Sequence, residues 1–275
     1  MKKYAGKLLS VILALVLLCS TFMMFRQKKD EESARSTYES VQQMVMQAET
    51  VQIDPAEPER IPQQSTVSYQ WMPAPVEDED IYIHRLDALD LERLRETNPD
   101  LIGWIWIPDT QVNYPLMQGE DNSYYLNRTW EGSENIVGSI FLETRNTPDF
   151  TDFNTIVYGH NMKNGAMFGS LKQYCEQNYA QQHPYVYVRT DGGTYRYEVF
   201  AAFEADVESA TYGLSFNQEK TRINFLTEAE ENSAIETGIK PAVTDRILTL
   251  STCTGKGYDS RWVVQARLIM IEVAV

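Results

Sequence analysis

Residues 246–273 read RILTLSTCTGKGYDSRWVVQARLIMIEV: two runs rich in β-branched and apolar residues, RILTLST (246–252) and RWVVQARLIMIEV (261–273), joined by a Gly-bearing loop with a cysteine at its entrance. Such residues suit a pleated, half-buried surface, so the stretch predicts two strands and places Cys253 at a strand end. Six runs of the same character precede it: LIGWIWI (101–107), VNYPLM (112–117), GSIFLE (138–143), NTIVYGH (154–160), PYVYVRT (184–190) and TYRYEVFAAFEA (194–205). Asp191-Gly192-Gly193 is a hairpin signal between two of them. Regular helices do not separate the strands, which disfavours a doubly wound parallel sheet and favours a closed antiparallel barrel or a sandwich. Helical interruptions are predicted near 121–126, 166–179 and 217–235, leaving an insertion of about 40 residues before the last strand pair. Leucines 86, 89, 91 and 94 at helical spacing, ended by Asn98-Pro99, predict one helix that opens the domain.

Upstream the character is different. The chain has 275 residues, 24 Lys plus Arg against 39 Asp plus Glu and a net charge of −15, which argues against a grip on nucleic acid phosphates. Residues 1–29 nevertheless hold six basic residues and no acidic one. Within them LLSVILALVLLCSTFMMF (8–25) is an uncharged run of 18 residues. As a helix it spans about 27 Å and reads as a single N-terminal transmembrane anchor with the rest of the chain outside. A removed secretory signal is the alternative, but no A-x-A-like site follows the run. Leu18 stands before Cys19 where a lipobox needs a small residue, so Cys19 reads as structural. Residues 30–80, with 12 acids, 2 bases and no Gly, read as an acidic stalk that starts as helix over 34–48 and continues as a proline-rich spacer. The expected organisation is an anchor over 1–29, a stalk over 30–80 and a catalytic domain over 81–275.

Three cysteines are too few and too scattered for a disulfide framework or a metal site. Cys175 in LKQYCEQNY reads as a small buried thiol. Cys253, beside a flexible loop, suits a nucleophile. A thiol is only about 3% ionised at neutral pH, so such a residue needs a base or cation nearby. Of the three histidines, His84 begins the opening helix and His183 precedes Pro184, whereas His160 ends a strand next to the Gly-containing loop NMKNGAMF. His160 is the best partner, against the alternative of a satisfied structural histidine. Arg261 opens the last strand, and a turn back of the loop brings its guanidinium beside the thiol, where it is suited to stabilising an oxyanion. Arg267 shares its face but lies farther from the loop.

TLSTC (249–253), VYGHNMKNGAMF (157–168) and the arginine before a valine-rich last strand resemble sortases, class B in particular. NPDLIGWIWIPDTQVNYPLMQ (98–118), DNSYYL (121–126) and GSIFLE (138–143) extend the resemblance over residues 84–275. It implies a mainly β fold: a closed eight-stranded barrel with an N-terminal helix and a helical insertion before the seventh strand, displayed on the outer face of a cell-walled bacterium's membrane. It also implies that Cys253 attacks the carbonyl after the Thr of a C-terminal sorting signal to give a thioester. His160 then serves as acid and base, and Arg261 polarises the scissile carbonyl. The partners implied are surface proteins bearing the signal and an acceptor amine, from peptidoglycan or from a pilin lysine. Asn122, Leu126, Tyr158 and Ser251 match residues of the class B peptide groove, and the 206–216 loop is expected as a specificity wall. No cofactor or metal is expected. The competing readings are a secreted thiol hydrolase of papain type, which places its cysteine at a helix start upstream of the histidine, and a non-catalytic anchored binding module.

Overall fold

The computed structural model describes residues 2–47 and 80–273; residues 48–79, which hold the proline-rich part of the expected stalk, lie outside the described residues, as do the chain's first and last two positions. Eight strands form: β1 (Leu101–Trp106), β2 (Asn113–Met117), β3 (Ile140–Leu142), β4 (Asn154–Tyr158), β5 (Tyr185–Thr190), β6 (Gly193–Asp206), β7 (Ile247–Cys253) and β8 (Ser260–Glu272). They close into a barrel in the order β1-β2-β3-β4-β7-β8-β6-β5, with β5 returning to β1. The mainly β closed barrel expected from the strand runs is therefore present. It is not wholly antiparallel, because β2 pairs with β3 and β4 with β7 in parallel. A parallel pair needs a long crossover between its strands. For β4 and β7 that crossover carries a short helix, α4 (Gln177–Gln182), the β5–β6 hairpin and the helical insertion, α5 (Glu219–Asn232).

The opening helix divides into α2 (Ile81–Asp87) and α3 (Leu91–Arg95). Asp80 and Asp90 each accept a backbone N–H as N-caps, of Tyr82 and Arg93 respectively. A second cap within the leucine pattern starts a new helix and offsets the first. Asp80 does more than cap: its carboxylate also pairs with Arg196 at 2.9 Å and accepts from the Tyr187 hydroxyl at 2.8 Å.

Strand parity gives the barrel two apolar layers. The interior is filled by Ile105, Leu116, Ile140, Leu142, Val157, Leu248, Leu250 and Val264, all buried. The opposite face of β6, β7 and β8 carries Ala201, Phe203, Ile247 and Val263, which pack under Phe225 and Ala229 of α5. The insertion thus roofs one end of that outer face and leaves its far end open, where β7 and β8 run into their connecting loop.

The N-terminal region departs from expectation. A single helix, α1 (Lys2–Gln47), runs through both the apolar run and the first part of the expected stalk. Its second half docks on the barrel through Ala34, Tyr38, Val41 and Val45, all buried. Their spacing of four, three and four puts them on one helical stripe. The single transmembrane helix expected over 8–25 is a correction, because among the described residues no helix is long and apolar enough to cross a membrane. The helix does not stop with the apolar run but continues through Arg26, Lys28, Lys29, Asp30, Glu31 and Glu32 into the segment that docks on the barrel.

Gly103 is where β1 comes closest to β5. A Cβ there would be driven into the Arg189 carbonyl, which is backbone and cannot yield. Gly103→Ala should lower the unfolding free energy by about 2 kcal/mol, as overpacking does, with a matching fall in denaturation midpoint. An unchanged midpoint would show that the β1–β5 seam is looser than drawn.

Candidate active site

Three adjacent strands set the site. In the β7–β8 ladder Cys253 lies directly opposite Arg261. Opposed residues of an antiparallel pair project on the same face with Cβ atoms about 5 Å apart. In the parallel β4–β7 ladder Tyr158 pairs with Ser251. Continuing that register by two residues brings His160 alongside Cys253. The continuation is held by hydrogen bonds: the Gly159 N–H donates to the Ser251 carbonyl (3.2 Å), the Thr252 hydroxyl to the Gly159 carbonyl (2.7 Å) and the Asn161 amide to the Cys253 carbonyl (2.7 Å). Cysteine, histidine and arginine, brought from separate stretches of the chain, therefore converge on one rim. Cys253 is exposed there as a free thiol, and His160 and Arg261 are half-buried.

Each partner is oriented by backbone. His160 Nε2 lies 2.6 Å from the Leu126 carbonyl. A carbonyl only accepts, so Nε2 carries the proton, and Nδ1 is the nitrogen left free for exchange in the neutral ring. Gly138, with φ +64°, presses against this arrangement: a Cβ on it would sit 3.0 Å from the imidazole Cδ2 and 2.7 Å from the Leu126 carbonyl oxygen. Arg261 donates from Nη1 to the carbonyls of Tyr258 (2.7 Å) and Ser260 (2.9 Å). These bonds curl the Cys253–Arg261 loop back on itself and leave the other guanidinium N–H groups for a ligand. Lys256 of that loop is tied to Glu204 at 2.5 Å and lies over the Trp262 ring.

The four further residues of the expected groove are distributed around this rim. Leu126 meets His160 through its carbonyl. Asn122 and Tyr158 both donate to Glu143 Oε2, at 2.6 and 3.1 Å, and the Asn122 side-chain oxygen accepts from Thr144 N–H. Ser251 is buried, and its hydroxyl exchanges a 2.8 Å hydrogen bond with that of Tyr212. Cys175 ends a 3-10 turn rather than an α-helix. Burial pushes its thiol pKa up, reinforced by Glu176 and Glu204, so it is a poor thiolate.

Two further residues, with no sequence signal of their own, contact this set. Tyr212 stands in the 206–216 loop, close enough to feel both Arg261 and Cys253; burial raises its hydroxyl to a pKa of about 12, keeping it a neutral donor. Glu143 ends β3's run as a buried carboxylate on which Asn122, Tyr158 and Arg145 converge. Among the described residues no cluster of three or more His, Cys, Asp or Glu side chains is placed to hold a metal ion. The arrangement can perform nucleophilic acyl chemistry: a sulfur, a proton carrier and a cation suited to a developing oxyanion.

Burial alone would raise the Glu143 pKa, but hydrogen bonds from Arg145 and Asn122 outweigh it and hold the carboxyl below its ordinary value. A group depressed on folding stabilises the fold fully above its unfolded pKa of about 4.3 and loses that contribution as pH falls through the lower folded value. Glu143→Gln should therefore be destabilised most at neutral pH, with the gap to the wild type narrowing on acidification below about pH 4. A gap that stays constant in pH-resolved denaturant titrations would remove Glu143 from the charged framework.

The family model described as Sortase domain matches residues 105–269. Sortase B of Listeria monocytogenes is 36% identical over 182 residues, covering 66% of this chain and 74% of that protein. Sortase B of Staphylococcus aureus is 33% identical over 183 residues, covering 66% and 75%. A solved Staphylococcus aureus sortase B–substrate complex superposes with a TM-score of 0.69 at 27% identity, over 89% of this chain and all of that one. With a cysteine on β7, an arginine opposite it on β8 and a histidine two residues past β4 of such a barrel, the chain belongs to the sortase family of cysteine transpeptidases, in its class B.

Proposed function

We propose that this transpeptidase cleaves a C-terminal sorting signal after its threonine and joins the new carboxyl to an amine of the cell wall or of a pilin, working at the bacterial surface. The Cys253 thiol passes its proton to His160 Nδ1 as its sulfur adds to the threonine carbonyl carbon, and the tetrahedral oxyanion is met by the spare N–H groups of Arg261. Collapse breaks the peptide C–N bond, and His160 gives that proton to the leaving nitrogen, which yields the thioester. The acceptor amine then attacks the thioester and gives its proton to His160, and the departing sulfur recovers the proton from His160 to regenerate the enzyme. Tyr212, Tyr158 and Ser251 line the face along which the peptide lies, and the insertion above them limits how far it extends. The observation that carries the reading is the Cys253↔Arg261 pairing on β7–β8, with His160 delivered beside it by the parallel β4–β7 register.

The test is to incubate the chain with candidate sorting-signal pentapeptides and a primary amine, following products by mass spectrometry. Expected are a thioester adduct on Cys253 and an amide product. Cys253→Ala should abolish both, Arg261→Ala should lower turnover about 100-fold, and Cys175→Ala should leave it intact. Free acid with no amide product would instead make the chain a hydrolase. Substrate processing that survives Cys253→Ala would reject thioester chemistry altogether.

A further inference from the structure

The half of α1 that docks on the barrel lands behind the imidazole. Tyr38 is buried, and its hydroxyl donates to the Gly138 carbonyl (2.7 Å), lies 3.1 Å from the Ser139 hydroxyl and accepts the Trp130 N–H (3.3 Å). Ser139 in turn ties its N–H to the Tyr125 carbonyl (2.9 Å) and its hydroxyl to the Arg128 carbonyl (2.7 Å). Those bonds bracket Leu126, whose carbonyl holds His160 Nε2. Gly138 backs onto the imidazole: a Cβ built on it would sit 3.0 Å from His160 Cδ2 and 2.7 Å from the Leu126 carbonyl oxygen, so no side chain fits there. The ring of Tyr38 makes a second connection. It packs edge-on against Tyr114 with centroids 5.3 Å apart, and the Tyr114 hydroxyl accepts the Met167 N–H at 3.1 Å. Met167 bridges to Asn161 and precedes Phe168, whose N–H closes the loop onto the His160 carbonyl at 2.9 Å. One side chain from the N-terminal helix thus supports both the wall behind the imidazole and the loop that carries it.

We propose that Tyr38 is a positioning residue for His160: α1 completes the active site by clamping the Gly138–Ser139 segment and, through Tyr114, the 160–168 loop, fixing the imidazole with Nε2–H toward Leu126 and Nδ1 toward the rim. The proposal rests on the acid–base reading of His160. Burial keeps the Tyr38 hydroxyl protonated far above neutral pH, so it remains a donor to Gly138 wherever the enzyme works. A fixed proton carrier matters because a misplacement of about 1 Å can cost on the order of 100-fold in rate.

The experiment uses the full chain. Tyr38→Phe keeps the packed ring and deletes the hydroxyl; kcat for peptide-to-amine transfer should fall about 10-fold while KM stays within about 2-fold. Imidazole nitrogen–proton correlation spectra should show His160 as one Nε2–H tautomer in the wild type and as a tautomer mixture in the variant. Tyr174→Phe, which deletes a buried hydroxyl bonded to the His183 carbonyl at 2.8 Å, is the matched control and should leave both readouts unchanged. If Tyr38→Phe does not fold, Ser139→Ala probes the same clamp and should give the same split between kcat and KM. A folded Tyr38→Phe with wild-type kcat and an unaltered His160 spectrum would overturn the proposal, as would an equal loss in Tyr174→Phe. His160→Ala separates the two ideas. Retained turnover there would defeat the acid–base reading itself, whereas its loss alongside an unaffected Tyr38→Phe would defeat only the clamp.

Discussion

The parallel pairing of β4 with β7 is the constraint from which the rest follows. β7 and β8 are joined by a short loop, so the opposition of Cys253 and Arg261 is a local affair. Nothing local brings His160 to them. It arrives because β4 and β7, some ninety residues apart, lie side by side with Tyr158 on Ser251. Parity then does the aiming. A shift of one residue in this ladder would turn every β4 side chain to the other face and send the imidazole toward the barrel interior. The register is held by hydrogen bonds at its open end as well as within it, from Gly159, Thr252 and Asn161.

The outer face on which the site opens is also where the barrel accepts polar burial. Gln265 donates to the Thr249 hydroxyl at 3.2 Å, Thr249 donates to Asn154 at 2.6 Å, and Asn154 donates to the carbonyls of Thr211 and Gly213, both at 3.0 Å. These side chains are buried under the insertion, where an unpaired polar group costs about 1–3 kcal/mol. An apolar filling would pack as well. What the chain of amides and hydroxyls adds is a fixed address for the two carbonyls on either side of Tyr212, and so for the phenol that meets Ser251 two residues before Cys253. Directional bonds specify a loop position in a way that dispersion contacts do not.

Strand existence was legible in the sequence because β-branched and aromatic runs between turn residues are a local signal; all eight runs form strands within about two residues of their expected ends. Cys253, His160 and Arg261 were legible as candidates because each ends or opens such a run. Partner choice was not: parallel pairing depends on what the intervening crossover can span, and no local pattern records it. The break between α2 and α3 was hidden by leucines that keep helical spacing across it, while the cap at Asp90 carried the contrary message. The apolar run at 8–25 carried a local composition signal, which does not record that the helix continues past Arg26 onto the barrel. Tyr212, Glu143, Gly138 and Tyr38 were invisible for one reason. Their roles lie in contacts such as Tyr38 to Gly138, a hundred positions apart, and a tyrosine or glycine in isolation says nothing of its distant neighbour.

The division between a buried frame and an exposed thiol has a physical consequence. Glu143, Ser251, Thr252 and Asn154 are buried and fully engaged, whereas Cys253 stands in solvent at the rim. In water the attraction between a thiolate and a neighbouring cation is worth about 1 kcal/mol at 4 Å, and several times more where the effective dielectric is lower. On the mechanism proposed above, the empty rim is therefore electrostatically quiet. A peptide laid between the Tyr212 loop and the Cys253–Arg261 loop would exclude water from the sulfur, the imidazole and the guanidinium together, strengthening their interactions where the oxyanion forms. Because the frame is already rigid, little of the binding free energy needs to go into organising it, and discrimination between peptides rests on how completely each one covers the rim.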